Sequence, residues 1–315
     1  MSLPRPSSGR DGGGANPPPP SERPRTVGEV LKWTEGLFRD LGLPTPRLDA
    51  EVLLAGALGV GRLDLYLGYE RPLEPEERDR FRALVKRRSR REPVAYILGR
   101  REFYSLSFEV GPAVLVPRPE TEHVVEAAVE ALRALPEGEP ATVLELGTGS
   151  GNIAISIAFQ VPSATIDTID PSADALALAR KNAATHGVED RIRFLQGDLF
   201  EPVANDRRYR IIVSNPPYVR AEDMPELAPE VRLHEPALAL VDSKSAQSDG
   251  LGFYREIATR GPAFLLPSGK IIVEVGAEQA RDVAAIFEAA RLTDIETRPD
   301  LAGIDRVVIA SRRSS

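Results

Sequence analysis

From residue 26 to about 91, apolar positions recur every three to four residues, the period of a buried helix face. Val27, Val30, Leu31, Thr34, Leu37 and Phe38 share one such face. It follows Thr26-Val27-Gly28-Glu29, where a hydroxyl and a carboxylate three residues apart can cap each other's backbone N–H. A second helix is predicted over Arg47–Leu58, with Leu48, Val52, Leu53 and Ala55 inside. A third begins near Pro75, a residue tolerated in a first helical turn, and runs to about Arg91. Residues 94–116 alternate and turn in the manner of a β-hairpin. A helix rich in Val and Ala then opens at Pro119-Glu120. From Thr142 onward, short β-branched runs alternate with helical stretches, which marks an α/β fold. The predicted strands are Thr142–Leu146, Ala164–Ile169, Arg191–Leu195, Tyr209–Ser214, Lys270–Val275 and two final ones near 293–298 and 305–311. Helices are predicted at 152–159, 171–186, 251–265 and 277–290, and residues 220–250 read as a long functional or mobile loop.

Residues 1–25 hold Pro, Gly, Ser and Arg with little to bury, and a disordered tail is expected there. An organellar transit peptide is the alternative, but Pro17 to Pro20 oppose the amphipathic helix it needs. The expected organisation is therefore a tail (1–25), a helical module (26–92), a hairpin linker (93–116) and an α/β domain (117–315).

Composition narrows the chemistry. The 315 residues contain no cysteine, which excludes disulfides and thiolate metal sites and favours the cytoplasm. His123, His186 and His234 are too dispersed for a metal site, so no metal is expected. A net charge of −7 argues against a dedicated nucleic-acid binder. No apolar run reaches the ~20 residues of a membrane span. The cationic run Lys86–Arg91 reads either as a solvated helix end or as a contact for an acidic partner.

Candidate chemistry collects at strand ends, where parallel α/β sheets bind ligands. After the strand 209–214 comes Asn215-Pro216-Pro217-Tyr218. Two prolines cannot extend a central strand, and they stiffen the backbone around Asn215. Asn215 with neighbouring carbonyls can hold a planar –NH2 group by two hydrogen bonds, with the Tyr218 ring alongside. The bland alternative is a strand end with a stiff loop. Gly147-Thr148-Gly149-Ser150-Gly151 lets backbone approach a ligand closely, but lacks the spacing expected for a dinucleotide pyrophosphate. Asp170 is placed to accept from two ribose hydroxyls, or else to cap the helix 171–186. Asp198 can accept from an adenine amine with Leu199 or Phe200 against the ring, or else simply form a turn.

Glycine loop, two acids and Asn-Pro-Pro-Tyr fall in order on four successive strand ends, and residues 141–311 resemble class I S-adenosylmethionine-dependent methyltransferases. Arg101–Leu106, Leu115–Glu122, Glu145–Gly151, Ser214–Val219 and His234–Leu240 make the resemblance closer still, to the protein-(glutamine-N5) methyltransferases of the HemK/PrmC family. It covers about residues 26–312. It implies a Rossmann-like, mostly parallel sheet with an antiparallel last strand, preceded by a helical substrate-recognition module. It also implies S-adenosylmethionine as cofactor, touching Gly147 to Gly151, Asp170, Asp198, Leu199 and Asn215. The implied substrate is the glutamine of the Gly-Gly-Gln motif in class I peptide chain release factors, meeting Asn215, Pro216, Pro217 and Tyr218. Leu199 stands where some relatives carry Trp. The segment Val241–Asp249 is longer and more polar than the usual connector. A ribosomal-protein glutamine, a nucleic-acid amine and a non-catalytic binding role are the rival readings.

Overall fold

The computed structural model of the chain describes residues 26–313, so the expected tail of residues 1–25 lies outside the described residues. The chain packs as two compact units, one ending at Ser89 and the other beginning at Arg90.

The first unit is helical: α1 (Val27–Asp40), α2 (Pro46–Leu58), α3 (Arg62–Leu67) and α4 (Pro75–Arg88). The capping box at Thr26 forms as predicted, with Glu29 N–H donating to Thr26 Oγ1 (3.2 Å) and Thr26 N–H donating to Glu29 Oε2 (2.8 Å). Phe38, Leu53, Leu54 and Phe81 form its core. Three expectations need correction here. Leu48 is exposed, and α2 instead buries Ala50, Leu53, Leu54, Ala55 and Ala57. Helix α3 went unpredicted because Leu63 and Leu67 face solvent, which removes any amphipathic period. Helix α4 ends at Arg88, and within the cationic run Arg88 is neither solvated nor partner-facing. It is buried, its Nε donating to Asp49 Oδ2 at 2.7 Å. Removing one member of such a pair leaves a bare buried charge, at a cost of ~3–5 kcal/mol.

The second unit opens with α5 (Val94–Leu98), then β1 (Arg100–Phe103) and β2 (Leu106–Glu109). The predicted hairpin over 94–116 is thus real but short. Its first five residues are helical, closed by Gly99 at φ 72°, a left-handed position that glycine adopts without strain. Its last residues, after Glu109, form no strand. The hairpin buries Phe103 and Phe108 in the same core as the helices beyond it.

There follow α6 (Glu122–Arg133), β3 (Thr142–Leu146), α7 (Asn152–Gln160), β4 (Thr165–Asp170), α8 (Ala173–Thr185), β5 (Ile192–Gln196) and β6 (Tyr209–Ser214). After these come α9 (Pro229–His234), α10 (Gly252–Arg260), β7 (Leu265–Glu274), α11 (Ala280–Ala289), β8 (Thr293–Pro299) and β9 (Asp305–Ser311). The seven strands lie in the order β5-β4-β3-β6-β7-β9-β8. β9 alone runs against its neighbours, antiparallel to both β7 and β8, as expected of the last strand. Successive strand residues face opposite layers. Val143, Ile211 and Val213 pack toward α6 and α7, while Leu144, Ile212 and Val273 pack toward α10 and α11. Both faces are therefore covered, so apolar residues stand at successive positions, as in Ile211-Ile212-Val213 and Ile271-Ile272-Val273. The order reverses between β3 and β6, and that switch point opens the crevice described next.

Candidate active site

A cavity of about 500 Å³ lies beyond the carboxyl ends of β3, β4 and β6. Of the residues singled out in the sequence, Gly147, Thr148, Gly149, Ser150, Asp170, Asp198, Leu199, Asn215, Pro216 and Pro217 line it. Gly151 does not. It sits at φ 81° at the start of α7, where a Cβ would stand 2.8 Å from the Ile155 side chain and 3.2 Å from Ala179. Its role is to let the loop turn and the helices close up.

The glycine loop is held by β4. Gly147 and Thr148 N–H both donate to the Ile169 carbonyl, at 2.8 and 3.1 Å. The Asp170 carboxylate accepts from Gly149 N–H and from Ser172 N–H, each at 2.9 Å. The helix cap proposed as its alternative role belongs to Ser172, whose hydroxyl accepts from Ala175 N–H. Burial pushes the Asp170 carboxyl up, against the Gly149, Ser172 and Thr148 amides that hold it down. Lone pairs left over from these amides remain for a ligand. Beneath the loop, Glu145 accepts from Thr168 Oγ1, and Thr168 and Thr148 hydroxyls meet at 2.7 Å. Full burial raises the Glu145 carboxyl to about 8, so it is neutral at pH 7.

Asp198 is ion-paired with Lys244 from the opposite rim. Leu199 is buried and sits at φ 49°, a left-handed conformation that costs a branched side chain free energy.

At the end of β6, the Asn215 side chain turns back toward the fold: Nδ2 donates to Thr121 Oγ1 at 3.1 Å. Thr121 in turn donates to Glu274 Oε2 at 2.5 Å. No hydrogen bond within the described residues engages Asn215 Oδ1. Tyr218 does not line the large cavity. It lines a neighbouring one of about 190 Å³ with Leu115, Arg118, Asn215, Pro216 and Leu240. Burial raises its phenol to about 12, so it stays neutral.

The other wall went largely unread in the sequence. Ala113, Val114, Leu115, Arg118, Leu238 and Lys244 all face the large cavity. Arg118 Nη2 donates to Glu235 Oε1 (2.6 Å), and Val116 N–H donates to Glu235 Oε2 (3.1 Å). The segments Leu115–Glu122 and His234–Leu240 are thereby clasped together. Val219 N–H donates to the Leu240 carbonyl and Asp242 N–H to that of Val219, both at 2.9 Å, zipping the 236–242 segment to the chain after Tyr218. Residues 220–250, expected as a functional or mobile loop, contain two short 3₁₀ turns and α9, and Pro236, Leu238, Ala239, Ser243 and Lys244 from them line the large cavity. Asn182, also missed, ties the glycine loop to the hairpin. Its amide donates to the Ser150 and Glu109 carbonyls, and its carbonyl accepts from Glu109 N–H. Among the described residues, no three His, Cys, Asp or Glu side chains cluster as metal ligands, and no helix is long and apolar enough to cross a membrane.

The sequence matches the family descriptions PrmC N-terminal domain over residues 29–99 and Methyltransferase small domain over residues 124–236. It is 45% identical to a release factor glutamine methyltransferase of Geobacter sulfurreducens, across 91% of this chain and 98% of that one. It is 40% identical to the protein of the same name from Chlorobaculum tepidum, across 91% and 97%. A solved protein-(glutamine-N5) methyltransferase (release factor-specific) from Alicyclobacillus acidocaldarius aligns at 31% identity over 65% of this chain and 99% of that one, with a TM-score of 0.40. With this identity sustained over nearly the whole length of its relatives, the chain belongs to the release factor glutamine methyltransferase family.

Proposed function

We propose that this enzyme transfers a methyl group from S-adenosylmethionine to the side-chain amide nitrogen of a glutamine in peptide chain release factors, the glutamine of their Gly-Gly-Gln motif. The observation that carries the proposal is the meeting of two cavities along a shared border of Leu115, Arg118, Asn215, Pro216 and Ala239. The larger holds the glycine loop, Asp170, Asp198 and Leu199; the smaller holds Tyr218; Asn215 and Pro216 line both.

The larger cavity suits the cofactor. Its volume and its lining, apolar residues with Asp170, Asp174 and Asp198 and the cations Arg118 and Lys244, fit a nucleoside with a charged tail. Gly147 to Ser150 would receive it by backbone, Asp170 by its remaining lone pairs, and Asp198 with Leu199 at the base. When bound, it supplies an electrophilic methyl group on a sulfonium.

The chain's own work is to present the acceptor. A glutamine amide nitrogen is a poor nucleophile, because its lone pair is delocalised into its carbonyl. Asn215 Oδ1 and the Pro216 carbonyl would each accept one amide hydrogen. That fixes the nitrogen toward the larger cavity and stabilises the positive charge that develops on it. Pro216 and Pro217 keep those acceptors rigid, since neither has a free φ. Tyr218, neutral and largely buried, walls the acceptor side. An N-protonated amide is strongly acidic, so its proton can leave to water without a dedicated base. We assign recognition of the acceptor protein to the helical module, residues 26–92, and the cytosol as the compartment where the acceptor is met.

The test is incubation with methyl-labelled cofactor and a release factor, ribosomal proteins or DNA in parallel. Label on the release factor alone, lost when its Gly-Gly-Gln glutamine is replaced, is the expected result. Label on ribosomal protein or DNA instead would overturn the assignment.

A further inference from the structure

An asparagine amide can turn over about its terminal bond, exchanging oxygen for nitrogen with little change of shape. The mechanism above works only with the Asn215 oxygen toward the acceptor, so the fold must choose one of the two arrangements. Two buried side chains do so. Thr121, in the 3₁₀ turn before α6, and Glu274, at the end of β7, are each about 2% exposed. Asn215 Nδ2 lies 3.1 Å from Thr121 Oγ1, which lies 2.5 Å from Glu274 Oε2. A threonine hydroxyl has a single hydrogen. Given to a carboxylate, it leaves only lone pairs facing Asn215, which must then offer its N–H.

We propose that Thr121 and Glu274 are positioning residues, a hydrogen-bond relay that holds the Asn215 carboxamide with its oxygen toward the acceptor amide. The proposal rests on the methyl-transfer reading of the site, although the relay itself is a property of the protein alone.

The relay has a sense only while Glu274 is an acceptor. The groups around that carboxyl are Glu120 and Thr121 from the turn, Arg306 from β9, Asn215 and Tyr218 after β6, and Tyr254 from α10, whose hydroxyl donates to the Glu274 carbonyl at 2.9 Å. Burial, with Glu120 adding to it, lifts the carboxyl to about 7, against Thr121, Arg306 and Asn215. Ionised, Glu274 only accepts. Protonated, it can donate to Thr121, whose hydroxyl is then free to donate to a reversed Asn215. Turnover therefore gains a limb that rises as pH climbs through about 7.

Thr121→Val keeps the shape and deletes the hydroxyl. It should lower kcat by about tenfold, the effect of one buried hydrogen bond, with cofactor affinity by calorimetry unchanged. Thr121→Ser should restore most of the rate. Glu274→Gln should abolish the limb near pH 7. A second readout needs no acceptor. The Asn215 side-chain NH2 resonances, identified by their loss in Asn215→Ala, should titrate near pH 7 in the wild type. They should stop titrating in Glu274→Gln and move toward the exposed-asparagine position in Thr121→Val. Resonances that respond to neither Glu274→Gln nor Thr121→Val, or a Thr121→Val enzyme of normal kcat, would overturn the relay. A release factor left unmethylated while the resonances respond would instead remove the substrate assignment and leave the relay standing.

Discussion

The two walls of the large cavity are held by different means. The strand-end wall is tied by short contacts between adjacent elements: Gly147 and Thr148 to Ile169, Gly149 to Asp170, and the Ser214 hydroxyl to the Leu146 carbonyl at 2.7 Å. The facing wall is a pair of segments from distant parts of the chain, clasped by Glu235 to Val116 and Arg118 and bridged across the cavity by Lys244 to Asp198. The first wall inherits the rigidity of a sheet buried on both faces. The second depends on a few polar contacts, among them a partly exposed ion pair that contributes little by itself. On the proposed reading, Asn215 and Asp170 sit on the rigid wall, and the adaptable wall is left to fit the ligand.

The sharpest way to break this contrast is at Asn215. Asn215→Ala should lower kcat by ~10² or more, because it deletes an acceptor used as charge develops. Cofactor affinity should change little, and a variant with normal turnover would remove the rigid wall from the chemistry. Asp170→Ala should reverse that split: calorimetry should show cofactor binding weakened ~10-fold or more, from lost charge-assisted hydrogen bonds and a loosened glycine loop.

Glu145 tests the same wall through stability. Its carboxyl rises from an ordinary 4.5 to about 8 on folding. The folded state therefore holds this proton more tightly than the unfolded chain. Its contribution is full below pH 4.5 and is lost as pH rises through 8. Glu145→Gln should flatten the fall in stability across that window, a gain on the order of a few kcal/mol at pH 9, followed by denaturant unfolding at several pH values. The smallest effect belongs to the facing wall. Lys244→Ala frees Asp198 and should tighten cofactor binding by no more than ~5-fold, since a partly exposed ion pair is worth under ~1 kcal/mol.

The same contrast explains what could be read from the sequence. Tyr209–Ser214 and Thr142–Leu146 were legible to the residue, because strands covered on both faces carry apolar residues at successive positions, Ile211-Ile212-Val213 in one and Val143-Leu144 in the other. The cavity-lining Gly147 and Gly149, Asp170 and Asn215 were legible because strand ends place them. Helix α3 leaves no periodic signal, since Leu63 and Leu67 face solvent and Leu65 alone is buried, and Val94–Leu98 is too short to show a period. Arg118 and Glu235 are joined across 117 residues, and Thr121 and Glu274 across 153, so no local pattern announces either pair. Arg88 read as one more surface cation because its partner Asp49 is 39 positions away.

The bond from the Asp170 carboxylate to Gly149 N–H has a thermodynamic consequence. A loop already immobilised before its ligand arrives gives up little conformational entropy on association. Encounter at that edge is then closer to lock-and-key docking than to induced fit, and any slow step in cofactor exchange is assigned to the clasped segments opposite.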